Sequence, residues 1–210
     1  MIPGAICVIL GDMNALYDLL PRDAITQRLQ PPYPLIILVA SFAGSQAMLE
    51  FAAHLAFYTP LRVLDGGNRF NAREVALQLR HLNAPDLYQA LSGIQVRRAF
   101  TCYQMTALLE DTPPSSQPSL VIDLLDTFYD ESAPLPERRS LIKRCIQQLH
   151  NLSSLAPTVA SVRPPQPSHA DPTGLLEIVQ NAGDLLWFPE EEAAAQGSKR
   201  QPAGPQLKLF

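Results

Sequence analysis

Short apolar runs of strand length alternate with longer segments of helical periodicity along most of this chain. The runs predict strands at residues 35–39, 61–65, 94–100, 119–123 and 158–162. Apolar side chains recur every three or four positions between them and predict helices at residues 47–57, 72–81, 103–110 and 136–153. Continuous apolar strands indicate burial on both faces, and strand–helix alternation indicates a parallel sheet. The predicted fold class is α/β, a mostly parallel central sheet flanked by helices.

The pattern is less regular at the two ends of this core. Residues 13–29 predict a helix that stops before Pro31 and Pro32, so residues 1–32 form an N-terminal strand/helix segment ahead of a core at 33–188. Residues 175–180 and 184–188 predict two short strands joined by a tight turn, which would close the sheet with an antiparallel edge. Trp187 and Phe188 in the second of these are expected to pack in the core.

Composition and charge limit the classes of function. The formal net charge of the 210 residues is −4, so the whole chain does not attract nucleic acid, and a DNA contact would need a local basic surface. Cys7, Cys102 and Cys145 lack the spacing of a disulfide framework or a zinc site, and we expect no cofactor. The apolar stretch at residues 2–10 is too short for a membrane span and lacks the basic start of a signal peptide. A soluble cytoplasmic protein, associated with the nucleoid, is expected.

The turn after the first predicted strand is where a phosphate-binding loop of the form G-x-x-x-x-G-K-[ST] would lie. When Gly44 is aligned with the second glycine, Ser45 and Gln46 stand where Lys and Ser/Thr are needed. Gly44, Ser45 and Gln46 are therefore candidates for a degenerate nucleotide site only. Asp123 ends an apolar strand at the position of a magnesium-ordering acid, and a polar strand end remains the alternative.

Three short motifs resemble the core of RecA/RadA-like recombinases and their paralogues, including ImuA-like and KaiC-like accessory proteins. Residues 64–71, LDGGNRFN, resemble the family motif IDTEGTF; residues 98–101 with Gln104 resemble RAF followed by Gln; residues 120–123, LVID, resemble the second acidic motif. The resemblance implies a RecA-like P-loop NTPase fold over residues 33–188. It also implies that the position of the water-activating Glu is occupied by Gly67. With the Lys missing as well, the chain resembles a pseudo-ATPase and not an enzyme.

Basic residues cluster on one predicted helix. Arg138, Arg139, Lys143 and Arg144 indicate either a solvated helix face or a contact with DNA or a partner, and Arg163 is a further candidate in a following loop. Any such DNA contact is expected to be weak. Arg97 and Arg98 alternate on a strand, and one of them is expected to form an ion pair with Asp65 or Asp123.

The chain ends in QLKLF, which resembles the peptide that bacterial repair factors insert into the DNA polymerase sliding clamp (the beta subunit). Gln206 would exchange hydrogen bonds with the clamp cleft, while Leu207, Leu209 and Phe210 supply apolar contacts and Lys208 faces water. Residues 189–205 are rich in Glu, Ala, Pro and Gly and predict a flexible, disordered linker with a reach of roughly 20 Å. An alternative is that the apolar terminus docks on its own domain as a strand.

Together these features predict a non-hydrolysing RecA-like accessory protein recruited to the sliding clamp. It would act as a scaffold in DNA repair, recombination or translesion synthesis, beside a translesion polymerase or a recombinase. Two alternatives are a nucleotide-binding RecA-like ATPase with an atypical P-loop and a protein-interaction regulator of the cell-division-inhibitor type.

Overall fold

A six-stranded parallel sheet forms the centre of the protein. The structure is a computed structural model that describes residues 33–40, 43–129, 133–164 and 174–188. The strands are β1 (Leu35–Val39), β2 (Leu61–Asp65), β3 (Ile94–Arg98), β4 (Ser119–Ile122), β5 (Thr158–Val162) and β6 (Leu185–Trp187), in the order β3-β2-β4-β5-β1-β6. Each neighbouring pair is parallel. The predicted α/β class is confirmed.

The helices connect successive strands of this sheet. They are α1 (Ala43–Tyr58), α2 (Ala72–His81), α3 (Leu87–Ser92), α4 (Cys102–Glu110), α5 (Leu135–Ser153) and α6 (Leu175–Ala182), with a 3-10 turn at Asp126–Phe128. Side-chain caps start three of them: Asn71 accepts from the Arg73 N–H, Asp86 from the Gln89 N–H, and Thr101 from the Gln104 N–H. Helix α3 was not predicted, because its six residues include no buried side chain that would set an apolar period.

Alternate strand residues face two separate hydrophobic cores. In β1, Leu35 and Ile37 pack with α4, α5 and α6, whereas Ile36 and Leu38 pack with α1, α2 and α3. Both cores contain fully buried large side chains, for example Phe128 on the first side and Phe51 on the second. Burial of the strands on both faces explains why their sequences are continuously apolar.

The strand order creates a crevice at the carboxyl edge of the sheet between β2 and β4. The helix that follows β2, α2, packs on one face, and the helix that follows β4, α5, packs on the other. Neighbouring strands whose connections leave to opposite faces open such a crevice, and open α/β sheets bind ligands there. The ends of β2 and β4 are one such place, and β1 with β5 is another, because α1 and α6 also pack on opposite faces.

The predicted antiparallel edge is wrong. Residues 175–182 form helix α6, with Leu175 and Val179 buried one turn apart, and β6 pairs with β1 in parallel through Ile36 and Leu185. A parallel strand needs a crossover connection, and the helix supplies it. Gly183 is no hairpin turn; a Cβ there would lie 2.6 Å from Ile37 Cγ1, so it permits close packing against β1.

The expected core packing of Trp187 is confirmed. Its ring meets the Phe51 ring edge to face, with centroids 5.3 Å apart, and its side chain is buried. In the part of the chain that the structure describes, no helix is long and apolar enough to cross a membrane. The helix predicted at residues 13–29 lies outside the described residues.

Candidate functional site

Asp123 lies at the carboxyl edge of the sheet, directly after β4 and beside the end of β5. It is fully buried, and its φ of 52° places it in the left-handed region. Its N–H donates to the Ser161 hydroxyl at 2.8 Å, and that hydroxyl is 3.4 Å from Asp123 Oδ1. Asp tolerates this backbone conformation better than most residues. Asp123 is thus a turn residue fixed to the neighbouring strand, as well as a buried carboxylate.

Two guanidinium groups lie next to the Asp123 carboxylate. Arg163 Nη2 is 3.4 Å and Arg69 Nε is 3.9 Å from Asp123 Oδ2, an atom with no hydrogen-bond partner among the described residues. Burial raises the pKa of Asp123, while Arg163, Arg69 and the Ser161 hydrogen bond act in the opposite direction. The two arginines therefore offset part of the cost of burying this charge, and burial remains the larger effect.

Arg163 connects Asp123 to a second acid. Its Nη2 also forms an ion pair with Asp126 Oδ2 in the 3-10 turn, and the Tyr129 hydroxyl donates to its carbonyl at 3.2 Å. About a fifth of the Arg163 side chain is exposed. Because it bridges two carboxylates, the guanidinium occupies the place that a bound cation would take between Asp123 and Asp126. The sequence made Arg163 a candidate for contact with DNA or a partner, whereas its guanidinium group pairs with these two acids.

Asp65 organises the loop that follows β2. Its carboxylate accepts from the Arg69 and Phe70 N–H groups, both at 3.0 Å, and from Arg98 Nε at 3.3 Å. The Ala99 N–H donates to the Asp65 carbonyl at 3.1 Å. Asp65 is fully buried, so the three bonds to its carboxylate satisfy a group that would otherwise be costly to bury. The prediction that Arg97 or Arg98 pairs with Asp65 or Asp123 is confirmed, and the pair is Arg98 with Asp65.

The two glycines after Asp65 let this loop lie against Asp123. A Cβ on Gly67 would be 2.6 Å from Asp123 Cβ and 2.7 Å from its Oδ2. A Cβ on Gly66 would be 3.0 Å from the Asp123 carbonyl oxygen, and the Gly66 N–H donates to Ile122 at 2.8 Å. Asn68, with a φ of 52°, completes the turn. Position 67 has no room for a side chain while Asp123 keeps its place.

The residues proposed for a phosphate-binding loop lie at the start of α1. Gly44 and Ser45 belong to its first turn, and Gln46 is exposed with its side-chain amide donating to Glu50 at 3.0 Å. β5 separates β1 from β4 in the sheet, so the ends of these two strands are about 10 Å apart. Among the described residues, Gln46 and Asp123 have different hydrogen-bonding partners, Glu50 and Ser161. The predicted loop residues and Asp123 therefore lie at the same edge of the sheet, but they make no direct contact among the described residues.

The basic residues of α5 do not form a single face. Arg138 is buried and donates to the Phe128 carbonyl at 2.9 Å, because it lies on the same helical stripe as Leu141 and Ile142. This corrects the prediction that it belongs to a solvated surface. Arg144 is exposed but forms two hydrogen bonds of 2.8 Å to Glu110 on α4.

Arg139 and Lys143 are exposed as predicted. Arg139 approaches Gly174 at the start of α6, where a Cβ would be 3.6 Å from its Nη2.

Arg69 and Ser161 are site residues that the sequence reading missed. Arg69 stands where the motif IDTEGTF has Thr, and Ser161 is a small polar residue in an apolar strand, so neither carries a signal by type or spacing. Pairing of β4 with β5 brings Ser161 beside Asp123, and only the strand order reveals this.

No protein-family model matches this chain, and none of the curated proteins matches it. Within residues 33–40, 43–129, 133–164 and 174–188, no group of three or more His, Cys, Asp or Glu side chains is placed to hold a metal ion. The predicted clamp-binding residues Gln206, Leu207, Leu209 and Phe210 lie outside the described residues.

Proposed function

We propose that this protein is a RecA-like accessory protein that does not hydrolyse ATP and that binds the bacterial DNA polymerase sliding clamp through residues 206–210. It would act as a scaffold in DNA repair, recombination or translesion synthesis, beside a translesion polymerase or a recombinase. The observation that carries the loss of hydrolysis is the contact between Gly67 and Asp123.

The geometry of the three motif segments supports the RecA-like part of the proposal. The segments are far apart in sequence, yet Arg98 of the second binds Asp65 of the first, and Gly67 of the first packs on Asp123 of the third. Asn68 has the left-handed φ that favours glycine, and the family motif IDTEGTF has glycine at this position. The three segments follow the neighbouring strands β2, β3 and β4, so they meet at one edge of the sheet as the resemblance implies.

The same contacts support the loss of ATP hydrolysis. The water-activating Glu of the family would fall on Gly67, where a Cβ alone would be 2.6 Å from Asp123 Cβ. Asp123 itself faces Arg163 and Arg69, which supply the positive charge that a metal ion would otherwise provide. A carboxylate that is neutralised by arginine is poorly suited to order a metal-bound nucleotide. The arrangement favours a structural use of the former catalytic edge.

The clamp contact rests on the sequence QLKLF, and it is tested with the full-length chain. We expect binding to a bacterial clamp in surface plasmon resonance with a dissociation constant on the order of μM. Gln206→Ala and Phe210→Ala should each weaken it at least tenfold, whereas Lys208→Ala, at the position predicted to face water, is the matched control. Binding that survives deletion of residues 206–210 would refute recruitment by this peptide.

Isothermal calorimetry with Mg-ATP tests the enzymatic alternative separately. We expect no ATP hydrolysis above background by the full chain, with or without DNA. Measurable turnover that Asp123→Asn abolishes would favour an ATPase with an atypical P-loop. Clamp binding and turnover are separate readouts, so either half of the proposal can fail alone.

A further inference from the structure

An open cavity of about 180 Å³ lies at the amino edge of the sheet, the opposite edge from the one that carries Asp123. The end of α1, the segment that leads into β2, and the start of α3 form its walls, which include Phe57, Tyr58, Pro60 and Pro85. The two aromatic rings pack edge to face with centroids 4.6 Å apart, and Tyr58 is 46% exposed. Aromatic rings and prolines around an open groove favour an extended, proline-rich peptide as the ligand.

The polar side chains of this cavity suit the same ligand. A proline-rich peptide offers carbonyl oxygens but few N–H groups, so its binding site needs hydrogen-bond donors. The Tyr58 hydroxyl and the Gln89 side-chain amide are donors on the cavity wall, and neither bonds to another group in the part of the chain that the structure describes. Both donors are therefore available to the carbonyl groups of a bound peptide.

Asp86 gives the cavity a negative charge. Among the described residues that line the cavity, it is the one acidic or basic side chain. Its Oδ1 accepts from the Gln89 N–H at 2.9 Å and caps α3, whereas its second oxygen bonds to no described residue. A lysine or arginine of the ligand would pair with this second oxygen. The cavity therefore favours a proline-rich peptide that also carries a basic residue.

Two segments of this chain have a basic residue followed by prolines three and six positions later, residues 28–34 and 199–205. An extended polyproline helix has three residues per turn, so this spacing places all three side chains on one face. The first segment ends at Pro34, and the neighbouring Tyr33 N–H donates to the Ser153 carbonyl at 3.0 Å beside the start of β1. Because β1 lies three strand positions from β2, Pro34 cannot enter the cavity. Residues 199–205 are the remaining match.

The chain between the sheet and residues 199–205 is long enough to reach the cavity. Strand β6 ends at the carboxyl edge, and it lies four strand positions from β2 in the sheet. This offset, together with the length of one strand, separates Phe188 from the cavity by about 25 Å. Residues 189–198 span at most about 35 Å when fully extended. The segment and the cavity can thus meet within one molecule.

We propose that this cavity binds residues 199–205 of the same chain. The two prolines of the segment pack on the aromatic wall, and Lys199 pairs with the second carboxylate oxygen of Asp86. The bound segment directly precedes residues 206–210, so docking holds those residues near the amino edge of the sheet. The proposal depends neither on clamp binding nor on the resemblance to recombinases.

Trypsin cleavage of the full-length chain after Arg200, followed by mass spectrometry, tests the proposal. An effective concentration of about 1 mM and an intrinsic dissociation constant of about 100 μM predict cleavage about 10-fold slower than in a free peptide of residues 195–208. Tyr58→Ala should remove this protection. Tyr88→Ala is the matched control and should leave the rate unchanged, since Tyr88 is an 84% exposed aromatic residue of α3 that does not line the cavity.

Charge is tested in the same digestion. Asp86→Asn removes the charge but keeps a side chain that caps α3, so it should speed cleavage about 2- to 5-fold, the contribution of one exposed ion pair. Asp111→Asn, at an exposed acid that follows α4, should leave the rate unchanged. Matching thermal melts of the wild type and the variants verify that the fold is intact.

A double-mutant cycle identifies the bound segment. Pro205→Ala lies beyond the immediate neighbours of the cleaved bond and should speed cleavage as Tyr58→Ala does. The double variant should be cleaved no faster than either single variant, because each substitution already releases the segment. Pro189→Ala, at the start of the linker, is the matched control.

Four results would overturn the proposal. They are wild-type cleavage as fast as that of the free peptide, equal rates in Tyr58→Ala and Tyr88→Ala, additive effects of Tyr58→Ala and Pro205→Ala, and protection that is lost on dilution. The last result would assign the bound segment to a second copy of the chain.

Discussion

Replacing Gly67 by alanine tests the central contact of the site. The new Cβ would lie 2.6 Å from Asp123 Cβ, about 1 Å closer than an ordinary van der Waals contact. Asp123 cannot easily retreat, because it is fully buried and its N–H is bonded to Ser161. Gly67 is not among the positive-φ glycines, so the cost comes from the steric contact and not from backbone strain.

The expected loss is about 2–3 kcal/mol, the upper part of the range for overpacking in a rigid site. For a domain of this size such a loss lowers the melting temperature by about 5–10 °C. Urea unfolding followed by the fluorescence of Trp187, the one tryptophan of the chain, measures it directly. Trp187 packs on Phe51 in the core, so its emission should follow global unfolding.

A control and a rescue make this prediction specific. Gly93→Ala places a Cβ no closer than 3.4 Å to its neighbours at a φ of −73°, so it should be neutral or stabilising by about 0.5 kcal/mol. Asp123→Gly removes the clashing atoms at a φ that suits glycine, so the cost of Gly67→Ala should fall by at least about 1 kcal/mol in that background. Additive losses, or a Gly67→Ala variant as stable as the wild type, would refute the reasoning.

Three further predictions concern buried polar groups. Burial raises the pKa of Asp123 above its usual 3.8, so the folded protein holds this proton more tightly than the unfolded chain and loses stability as pH rises through the folded pKa. The urea midpoint of Asp123→Asn should therefore rise relative to that of the wild type from about pH 4 to 7. A difference between the two midpoints that stays constant with pH would contradict this. Arg98→Ala removes the ion pair of buried Asp65 and should cost about 1–2 kcal/mol, less than a fully buried pair because the guanidinium is partly exposed. Arg97→Ala, at an exposed arginine of the same strand, should change stability by under about 0.5 kcal/mol in the same titration, and equal effects would count against the assigned partner. Burial raises the pKa of Cys145 to about 12, so iodoacetamide at neutral pH should label this thiol only after the protein unfolds. Peptide mass spectrometry measures the labelling, and rapid labelling of the native protein would show that the thiol is accessible.

The strands and most helices could be predicted because burial on both faces makes the strand sequences continuously apolar. The strands β1, β2 and β5 match the predicted ranges, and α5 begins one residue before its predicted start. Helix α6 was wrongly predicted as a strand because the short apolar runs of its sequence LLEIVQNA fit both strand and helix periodicity. A parallel β6 requires a crossover connection after β5, and this requirement favours a helix over a strand for residues 175–182. It becomes apparent only once β6 is known to be parallel.

The candidate site was only partly predictable for a similar reason. Alternation along β3 predicted that one of its two arginines would pair with Asp65 or Asp123, and the structure shows that the pair is Arg98 with Asp65. The contact of Asp123 with Arg163 joins the ends of β4 and β5, which are separated in sequence by helix α5, so no local sequence pattern predicts it. Arg138 was misassigned because a charged residue is expected at the surface, yet its helical position places it among the buried residues of α5.

The position of β1 in the sheet has a consequence for co-translational folding of this protein. Among the described residues, β1 (Leu35–Val39) pairs with Thr158–Val162 and Leu185–Trp187, which are synthesised well over a hundred residues later. A nascent chain that has emerged as far as β4 can pair β2 with its neighbours, but β1 stays without a partner on either side. The five apolar residues of β1 therefore stay unpaired and accessible to other nascent chains or to chaperones until the last third of the core has been translated.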